Sequence, residues 1–569
     1  MDQNAKYRKK HLDYPEITMC QMIARVAAGH PEVTAMDFFG RKTSYRTFYE
    51  EIERAARALI RAGIRSGDVV TICMPNTPQG IIMFYALSRI AAVANMVHPL
   101  SAEEEITFYL NLSESRMILT LDTFSEKVEA AAAKADYPVK LITARMEDAL
   151  PPHLAIAFVA KTGRRFLKYP KTKGAVTWRA FMKSGATDRA LPETTFEKDR
   201  TAAILYSGGT SGTPKGICLT DYNFNALALG TIASFGGEVV PGMKMLSCMP
   251  MFHGFGLGIN LHTALVYGMT CILMPTFSDK TYADMLRKKK PNFIAGVPTI
   301  YEALLHIREL DGVDLSFLVG VFSGGDSLSV ELKKKIDRFL REHGAGVQVR
   351  EGYGLTECVT ASCLTPRDEY REGSIGLPFP DTEYAIVRPG SDDVLPPGEE
   401  GEIILRSPTL MKGYLKNEEE TKEALRLLPD GNTWLYTGDI GKMDEDGFVY
   451  FIQRAKRIII TNGYNVYPSQ IENVLDGMDE IMVSCVIGVK DNRRMQRVRA
   501  YVVLKDGVPD NDETRELILS RLGKKVARYA LPREILFRKE LPRTLVGKAD
   551  FRKLMEEAER EEERGRKDV

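Results

Sequence analysis

The sequence predicts an α/β protein, with a large N-terminal domain of α/β subdomains, a small β-rich subdomain and a small α+β domain at the C-terminus. Before about residue 380, apolar β-like segments alternate with amphipathic helices, which favours sheets with helical crossovers. After that point short strands lie between Pro, Gly and Asp turns, and from about residue 456 the order is strand, helix, strands, helix. The 569 residues are enough for several such units with large cores.

The first elements can be placed from their start and stop signals. Residues 44–63 are predicted to form an amphipathic helix, because Ser44 can cap its first turn and Gly63 can end it. A strand over 69–74 and a helix over 78–92 follow. The remaining predicted elements are strands over 293–297 and 317–322, helices from 298 and over 328–340, and short strands over 384–388, 401–405 and 448–452.

Composition excludes several classes of function. Lys and Arg number 77 and Asp and Glu number 76, so the net charge of +1 argues against a bulk nucleic-acid binder. The eight cysteines form no CxxC pair, which argues against a zinc site or a disulfide framework and predicts reduced thiols in a cytosolic protein. The polar N-terminus lacks the apolar core of a signal peptide, so we expect a cytoplasmic protein. The most apolar stretch, 81–100, contains Arg89, Asn95 and His98 and is predicted as a buried helix and strand.

The most informative segment is YSGGTSGTPKG at 206–216, which follows an apolar strand. Its glycines and hydroxyls expose backbone N–H groups without side-chain obstruction, and Lys215 adds a positive charge, so the loop suits a polyphosphate. It does not have the Walker A spacing. The candidate phosphate-binding residues are Ser207, Gly208, Gly209, Thr210, Ser211, Gly212, Thr213 and Lys215.

Four later segments fit the same chemistry. EGYGLTE at 351–357 ends in a hydroxyl and a carboxylate, groups that hold phosphate and a hard cation such as Mg²⁺. YTGD at 436–439 places a carboxylate after a tight turn, where it can accept two ribose hydroxyl protons. RAKR at 454–457 begins the last domain, and LPRTLVGK at 541–548 presents a lysine from a loop.

In this order and spacing, the five motifs resemble the core motifs of the adenylate-forming superfamily, which includes acyl- and aryl-CoA synthetases, nonribosomal peptide adenylation domains and beetle luciferases. The resemblance covers about residues 30–555. Further matches are PMFH at 250–253, Gly401-Glu402 with Gly413-Tyr414, and Gly463-Tyr464-Asn465.

The resemblance implies a two-step ligase. A carboxylic acid, expected to be a medium- or long-chain fatty acid, would attack the α-phosphate of ATP to give acyl-AMP and pyrophosphate, with Mg²⁺ as cofactor. The thiol of coenzyme A would then displace AMP. The implied domains are an adenylation domain over 1–455 and a mobile domain over 456–569 that rotates at Lys456.

The resemblance also implies residue roles. Thr356 would contact the α-phosphate, Glu357 with Thr210 would bind Mg²⁺, Lys548 would neutralise charge in the adenylation transition state, and His253 would stand at the carboxylate entrance. The implied adenine wall is Gly325, Asp326, Glu351, Gly352 and Tyr353, the ribose contacts are Asp439 and Arg454, and the thiol-side loop contains Gly463 and Tyr464.

Two other functions remain open at this point. The acceptor could be the phosphopantetheine thiol of an acyl carrier protein, or the chain could be a catalytically silent binding protein. Retention of a lysine, carboxylate or arginine at every motif argues against the silent protein. Residues 153–173 mix apolar side chains with six Lys and Arg and could form a weak contact with a membrane surface, although a solvated basic helix and loop would have the same composition.

Overall fold

The computed structural model describes residues 11–162, 175–187, 190–207, 214–457, 459–461, 464–491, 495–543 and 549–567. Two large mixed sheets with helices packed on them account for most of the N-terminal part, and a smaller antiparallel sheet follows. Residues from 459 onward form a separate sheet with its own helices. The predicted fold class is therefore confirmed.

The α-helices of the described residues are α1 Met19–Gly29, α2 Tyr45–Arg61, α3 Pro78–Arg89, α4 Glu103–Ser113, α5 Ser125–Ala133, α6 Pro152–Thr162, α7 Trp178–Ser184, α8 Asp221–Phe235, α9 Ala264–Val266, α10 Asp279–Lys289, α11 Pro298–Leu304, α12 Val330–Glu342, α13 Glu418–Ala424, α14 Pro468–Asp476, α15 Asp512–Leu522 and α16 Phe551–Lys567. A π-helix, Phe255–Thr263, precedes α9.

The strands are β1 Thr34–Phe38, β2 Arg41–Ser44, β3 Val69–Cys73, β4 Val93–Met96, β5 Met117–Leu121, β6 Lys140–Ala144, β7 Val176–Thr177, β8 Thr201–Ser207, β9 Lys215–Thr220, β10 Lys244–Ser247, β11 Thr270–Leu273, β12 Phe293–Gly296, β13 Gly320–Gly324, β14 Val349–Tyr353, β15 Cys363–Leu364, β16 Leu377–Pro378, β17 Glu383–Val387, β18 Gly401–Arg406, β19 Gly413–Tyr414, β20 Leu425–Leu427, β21 Thr433–Met443, β22 Val449–Arg454, β23 Ile459–Thr461, β24 Tyr464–Val466, β25 Ile481–Asp491, β26 Met495–Leu504 and β27 Glu534–Phe537.

The strand order brings distant segments together. The first large sheet runs β16-β15-β14-β13-β12-β10-β11-β1-β2, and the second runs β19-β9-β8-β4-β3-β5-β6-β7. Their central strands are parallel, so that helical crossovers cover both faces, as the alternation in the sequence predicts. The small antiparallel sheet contains β17, β18, β20, β21 and β22, and the C-terminal sheet contains β23 to β27.

Local capping explains why the helices begin where the sequence predicts. The Ser44 hydroxyl accepts a hydrogen bond from the backbone N–H of Thr47, and the Thr220 hydroxyl accepts one from Asn223 at the start of α8. Pro298 occupies the first turn of α11, where its missing N–H costs nothing. The predicted starts of α2 and α11 are confirmed.

One strand lies later than predicted. The apolar run 317–322 predicts a strand there, but β13 spans Gly320–Gly324. Pairing sets this boundary, because the backbone N–H groups of Val319 and Gly320 both donate to the carbonyl of Asn292 at the start of the neighbouring strand. Phe317 instead belongs to the turn that leads into the sheet.

The interior is apolar and contains the thiols. All eight cysteines are buried and take part in no disulfide in the structure. The stretch predicted as a buried helix and strand forms α3 and β4, and the α3 residues 79–88 are all buried. Within the described part of the chain, no helix combines the length and the hydrophobicity that crossing a bilayer requires.

The C-terminal sheet contacts the rest of the chain near the predicted hinge. Residues Ala455–Arg457 form a short 3₁₀ turn between β22 and β23. The Ser469 hydroxyl on α14 donates to the backbone carbonyl of Ile452 at 2.6 Å, and Arg457 pairs with Glu472. The main chain therefore turns at Lys456, between the small antiparallel sheet and the C-terminal sheet.

Candidate active site

One cavity of about 260 Å³ lies at the carboxyl ends of β13 and β14, where parallel sheets commonly bind ligands. Its polar part contains predicted site residues from several motifs, and the rest is largely apolar. The predicted residues that line it are Ser207, Lys215, His253, Gly325, Gly352, Thr356, Glu357 and Arg454.

A hairpin holds both ends of the glycine-rich loop. Ser207 ends β8 and is paired with Lys215, the first residue of β9, so the two ends of the loop are adjacent at the cavity. The predicted phosphate-binding residues 208–213 lie outside the described residues. The structure thus shows where the loop begins and ends.

Lys215 belongs to a short chain of charged and aromatic groups. Its ammonium lies 2.7 Å from a carboxylate oxygen of Glu420 on α13 and 4.8 Å from the centre of the Tyr414 ring. The Tyr414 hydroxyl in turn donates to Glu357 Oε1 at 2.9 Å. The predicted phosphate lysine and the predicted Mg²⁺ carboxylate are therefore connected through one tyrosine.

The turn that carries Thr356 and Glu357 is held by close backbone packing. Thr356–Cys358 is a single 3₁₀ turn, and Val359 after it has φ +64°, a conformation that β-branched residues rarely adopt. A Cβ on Gly254 would lie 1.8 Å from the Val359 carbonyl oxygen, so only glycine fits beside His253. The π-helix that follows Gly254 is thereby packed directly against this turn.

Tyr353, Asp439 and Arg454 form the second part of the site. The Tyr353 hydroxyl donates to Asp439 Oδ2 at 2.6 Å, and Arg454 Nε lies 3.3 Å from Asp439 Oδ1. Asp439 and Arg454 are direct partners across β21 and β22, which fixes this pair. Burial first, and the Asp439 charge second, raise the pKa of Tyr353, so its phenol keeps the proton that it donates.

Three predicted adenine-wall residues, Asp326, Glu351 and Tyr353, are not among the residues that line the cavity. Glu351 is buried, and burial raises its pKa to about 7, with Lys333 of α12 as the nearest opposing charge. Successive strand residues point to opposite faces, and in β14 it is Gly352, not Glu351, that lines the cavity. Asp326 is exposed and accepts a hydrogen bond from the Ser327 N–H.

His253 stands between the polar and apolar parts of the cavity. Its Nδ1 accepts the backbone N–H of Phe255 at 3.2 Å, and the residue lines the cavity. The apolar part is formed by α8, the π-helix and the starts of β10 and β12. Its main lining residues are Ile232, Phe235, Met245, Phe255, Ile259, Met269, Phe293 and Phe322.

Several predicted site residues lie outside the part of the chain that the structure describes. Lys548 and Gly463 are not among the described residues, and for Lys456 and Tyr464 only the main chain is described. Arg543 and Ala549, which flank the segment of Lys548, form an isolated antiparallel bridge. Their predicted roles therefore remain predictions.

Sequence reasoning missed Glu420. It lies in the KNEEET segment after β19, where three consecutive glutamates predict only a charged helix start. Its contact with Lys215 depends on β19 pairing with β9, which places Tyr414 opposite Ile217. The Gly413-Tyr414 match to the superfamily was the available signal for this region.

Comparison with known proteins agrees with this geometry. The family model of the AMP-binding enzyme matches residues 23–415, and that of the AMP-binding enzyme C-terminal domain matches residues 470–548. A long-chain-fatty-acid–CoA ligase of Bacillus subtilis is 35% identical over 554 residues, covering 96% of this chain and 95% of the relative.

Solved structures show the same architecture. A fatty acyl CoA synthetase of Mycobacterium tuberculosis has a TM-score of 0.68 and 25% identity, with 95% of this chain and 98% of that chain covered. ATP-bound MatB from Rhodopseudomonas palustris has a TM-score of 0.80 and 25% identity, with 94% and 98% covered. Because the family model matches most of the chain and relatives align along nearly all of it, the chain belongs to the AMP-binding enzyme family, as its motifs predict.

Proposed function

We propose that this chain is an AMP-forming acyl-CoA synthetase that uses ATP, a carboxylic acid and coenzyme A. The observation that carries the proposal is the single cavity, which joins Lys215, Thr356, Glu357 and Arg454 to a pocket with apolar walls. A carboxylate oxygen attacks the α-phosphorus of ATP and pyrophosphate leaves. The CoA sulfur then attacks the acyl carbonyl carbon, and AMP leaves with the electrons of the broken C–O bond.

The acid that fits best is a medium- or long-chain fatty acid. The apolar part of the cavity presents aliphatic, aromatic and thioether side chains, which favour an alkyl group over a charged or strongly polar one. The Bacillus subtilis relative carries the name long-chain-fatty-acid–CoA ligase, which supports the same class of acid here.

The polar end of the cavity positions ATP with little covalent chemistry to perform. Lys215 would bind the β- and γ-phosphates together with the hydroxyls of Thr210, Ser211 and Thr213. An ammonium has three N–H donors, so Lys215 can hold a phosphate oxygen while Glu420 keeps it oriented over the Tyr414 ring. Asp439 and Arg454 would contact the ribose.

The residues present fit a magnesium ion. Glu357 at the cavity and the Thr210 hydroxyl are hard oxygen donors, and Mg²⁺ in nucleotide sites takes few protein ligands besides phosphate oxygens and water. The ion would neutralise phosphate charge. Tyr414 donates to Glu357 Oε1, which holds that carboxylate in place at the cavity.

The second half-reaction needs access for a thiol, which adenylation must exclude. We therefore assign residues 1–455 to the adenylation domain and 456–569 to a domain that rotates at Lys456. In one orientation this domain would present Lys548 to the α-phosphate, and in the other it would present the Gly463 and Tyr464 loop to CoA. Such closure protects a reactive intermediate from water.

The basic segment 153–173 would contact an anionic lipid surface. Its described part, α6, exposes Ile156 at 72% together with His153, Ala157 and Ala160 on one face. The segment contains six Lys and Arg and no Asp or Glu. An apolar face beside concentrated positive charge suits an anionic membrane from which a fatty acid is drawn.

The first prediction is the reaction itself. With ATP and Mg²⁺, straight-chain fatty acids should release pyrophosphate and, with CoA added, give AMP and acyl-CoA, because the cavity joins a polar end containing Lys215 and Glu357 to apolar walls. A pyrophosphate-release screen across fatty, aryl and amino acids, with CoA or an acyl carrier protein, measures this. Transfer only to the carrier protein would reassign the acceptor, and no release with any acid would favour a silent binding protein.

The second prediction concerns Glu357. Glu357→Gln keeps the shape but removes the charge, and we expect acyl-AMP formation to fall about 10²–10³-fold with a raised Mg²⁺ requirement. Pyrophosphate release titrated with Mg²⁺ measures both. Glu399→Gln, on an exposed loop, is the control and should behave as the unaltered chain. A normal Mg²⁺ dependence in Glu357→Gln would mean that the carboxylate only complements its turn.

The third prediction separates the two half-reactions. Lys548→Ala should nearly abolish acyl-AMP formation but still convert supplied acyl-AMP and CoA to thioester. Lys456→Pro, which fixes φ at the hinge, should form acyl-AMP and stall at the second step. Lys539→Ala and Lys456→Ala are the matched controls, since the first removes an exposed lysine of the same domain and the second leaves φ free. Equal loss of both half-reactions in each variant would contradict domain rotation.

The fourth prediction concerns the membrane. The chain should sediment with phosphatidylglycerol vesicles at low salt and not with phosphatidylcholine vesicles. Neutralising Arg164, Arg165 and Lys168, or changing Ile156 to Ser, should reduce binding. Leu427→Ser is the control, because Leu427 is exposed to the same degree, 73%, elsewhere on the surface. Binding that survives the charge neutralisation would show that the segment is ordinary solvated surface.

A further inference from the structure

The apolar part of the cavity extends along strand β13 away from the nucleotide end. Gly324 lies at the carboxyl end of β13, whereas Phe293 begins β12 and is paired with Gly320, the first residue of β13. Gly320 and Gly324 are four residues apart along β13, a distance of about 13 Å in an extended strand. An acyl group activated at the nucleotide end would therefore extend toward Phe293.

Phe235 closes the far end of this space. It is the last residue of α8, 3% exposed, and its ring centre lies 5.3 Å from that of Phe293 and 6.0 Å from that of Phe322. Directly beyond it the chain reaches the surface, because Gly236 is exposed. A Cβ on Gly237 would lie 2.6 Å from Phe235 Cε1, so the ring fills the space between the cavity and the surface.

Arg350 holds the end of α8 in place. Its guanidinium donates to the backbone carbonyls of Phe235 at 2.7 Å, Ser234 at 2.9 Å and Thr365 at 2.7 Å. The first two are carbonyls at a helix C-terminus, where a positive charge is favourable. The guanidinium also lies 6.0 Å from the ring centre of Phe235 and 5.8 Å from that of Phe322.

Burial of the charged Arg350 guanidinium costs free energy. Only 7% of the residue is exposed, and its hydrogen-bond partners among the described residues are backbone carbonyls rather than carboxylates. Burial, and secondarily the charge of Arg367, lower its pKa to about 10. The three hydrogen bonds to backbone carbonyls offset the cost of burying the Arg350 guanidinium. Because two of them end at the C-terminus of α8, they hold the main chain at Phe235 in position.

We propose that Phe235 sets the longest acyl group that the chain accepts, and that Arg350 is the positioning residue that holds Phe235 across the end of the cavity. The inference rests on the proposed acyl-CoA synthetase function. An acid longer than the cavity must displace the Phe235 ring, and the two hydrogen bonds of Arg350 to the Ser234 and Phe235 carbonyls hold the end of α8 against moving with it. Shorter acids leave the ring in place.

The test is the chain-length profile of kcat/KM over saturated acids from hexanoate to eicosanoate. Phe235→Ala should shift the optimum to longer acids and raise kcat/KM for the longest acids about tenfold or more, since each methylene admitted to a pocket changes this ratio by that order. Phe235→Leu should shift it less. Phe181→Ala, equally buried at 4% but in α7, is the control and should leave the profile shape unchanged.

Arg350→Lys should broaden the profile toward long acids, because an ammonium cannot reproduce the planar fork across three carbonyls. Its KM for ATP should stay within about twofold, which separates positioning of Phe235 from general damage to β14. If the unaltered chain is active but Phe235→Ala, Phe235→Leu and Arg350→Lys all keep its chain-length profile, the inference about Phe235 is wrong. The proposed acyl-CoA synthetase function would still stand in that case. If the unaltered chain turned over no acid of the series, the proposed function would fail, and the inference with it.

Discussion

The hydrogen bond from Tyr353 to Asp439 joins two sheets that the sequence separates by more than eighty residues. Tyr353 ends β14 of the first large sheet, and Asp439 lies on β21 of the small antiparallel sheet. Asp439 is 1% exposed, and a hydrogen bond to a charged acceptor is worth about 1.5–3 kcal/mol. The bond connects the predicted ribose carboxylate directly to the strand that carries part of the predicted adenine wall. Two motifs that are distant in the sequence therefore meet at one predicted nucleotide site.

A second link joins the hairpin of the glycine-rich loop to the turn after β14. Tyr414 lies on β19, which extends the second large sheet through β9, and its hydroxyl donates to Glu357. Burial, followed by the negative charge of Glu357, raises the pKa of Tyr414 and keeps its proton in place. With Lys215 held by Glu420, these predicted phosphate- and metal-binding side chains already have fixed positions, so little reorganisation would be needed during the proposed reaction.

Local features of the fold could be predicted from the sequence more fully than contacts between distant segments. The starts of α2, α8 and α11 follow from Ser44, Thr220 and Pro298, because capping is decided within a few residues. The five motifs predicted the family, and residues of four of them line the cavity, since each motif keeps its chemistry in a short segment.

Contacts between distant segments could not be predicted in this way. Nothing near Glu420 in the sequence indicates that it meets Lys215, and nothing near Arg350 indicates that it binds the end of α8. The π-helix over 255–263 was equally hidden, because its apolar residues are compatible with an ordinary buried helix or strand. In each case the residue that makes the contact lies on another helix or strand, and the local sequence pattern does not indicate which one.

The buried cysteines bear on how the enzyme handles its thiol substrate. Cys363 lines the cavity in which acyl-AMP would form, yet burial raises its pKa to about 12 and its S–H donates to the carbonyl of Ile375. A protonated, hydrogen-bonded thiol is a poor nucleophile. Burial likewise raises the pKa of the other seven thiols. The protein can therefore generate a strongly electrophilic mixed anhydride beside its own sulfur without acylating itself, and the acyl group is left for the thiol that arrives from solution.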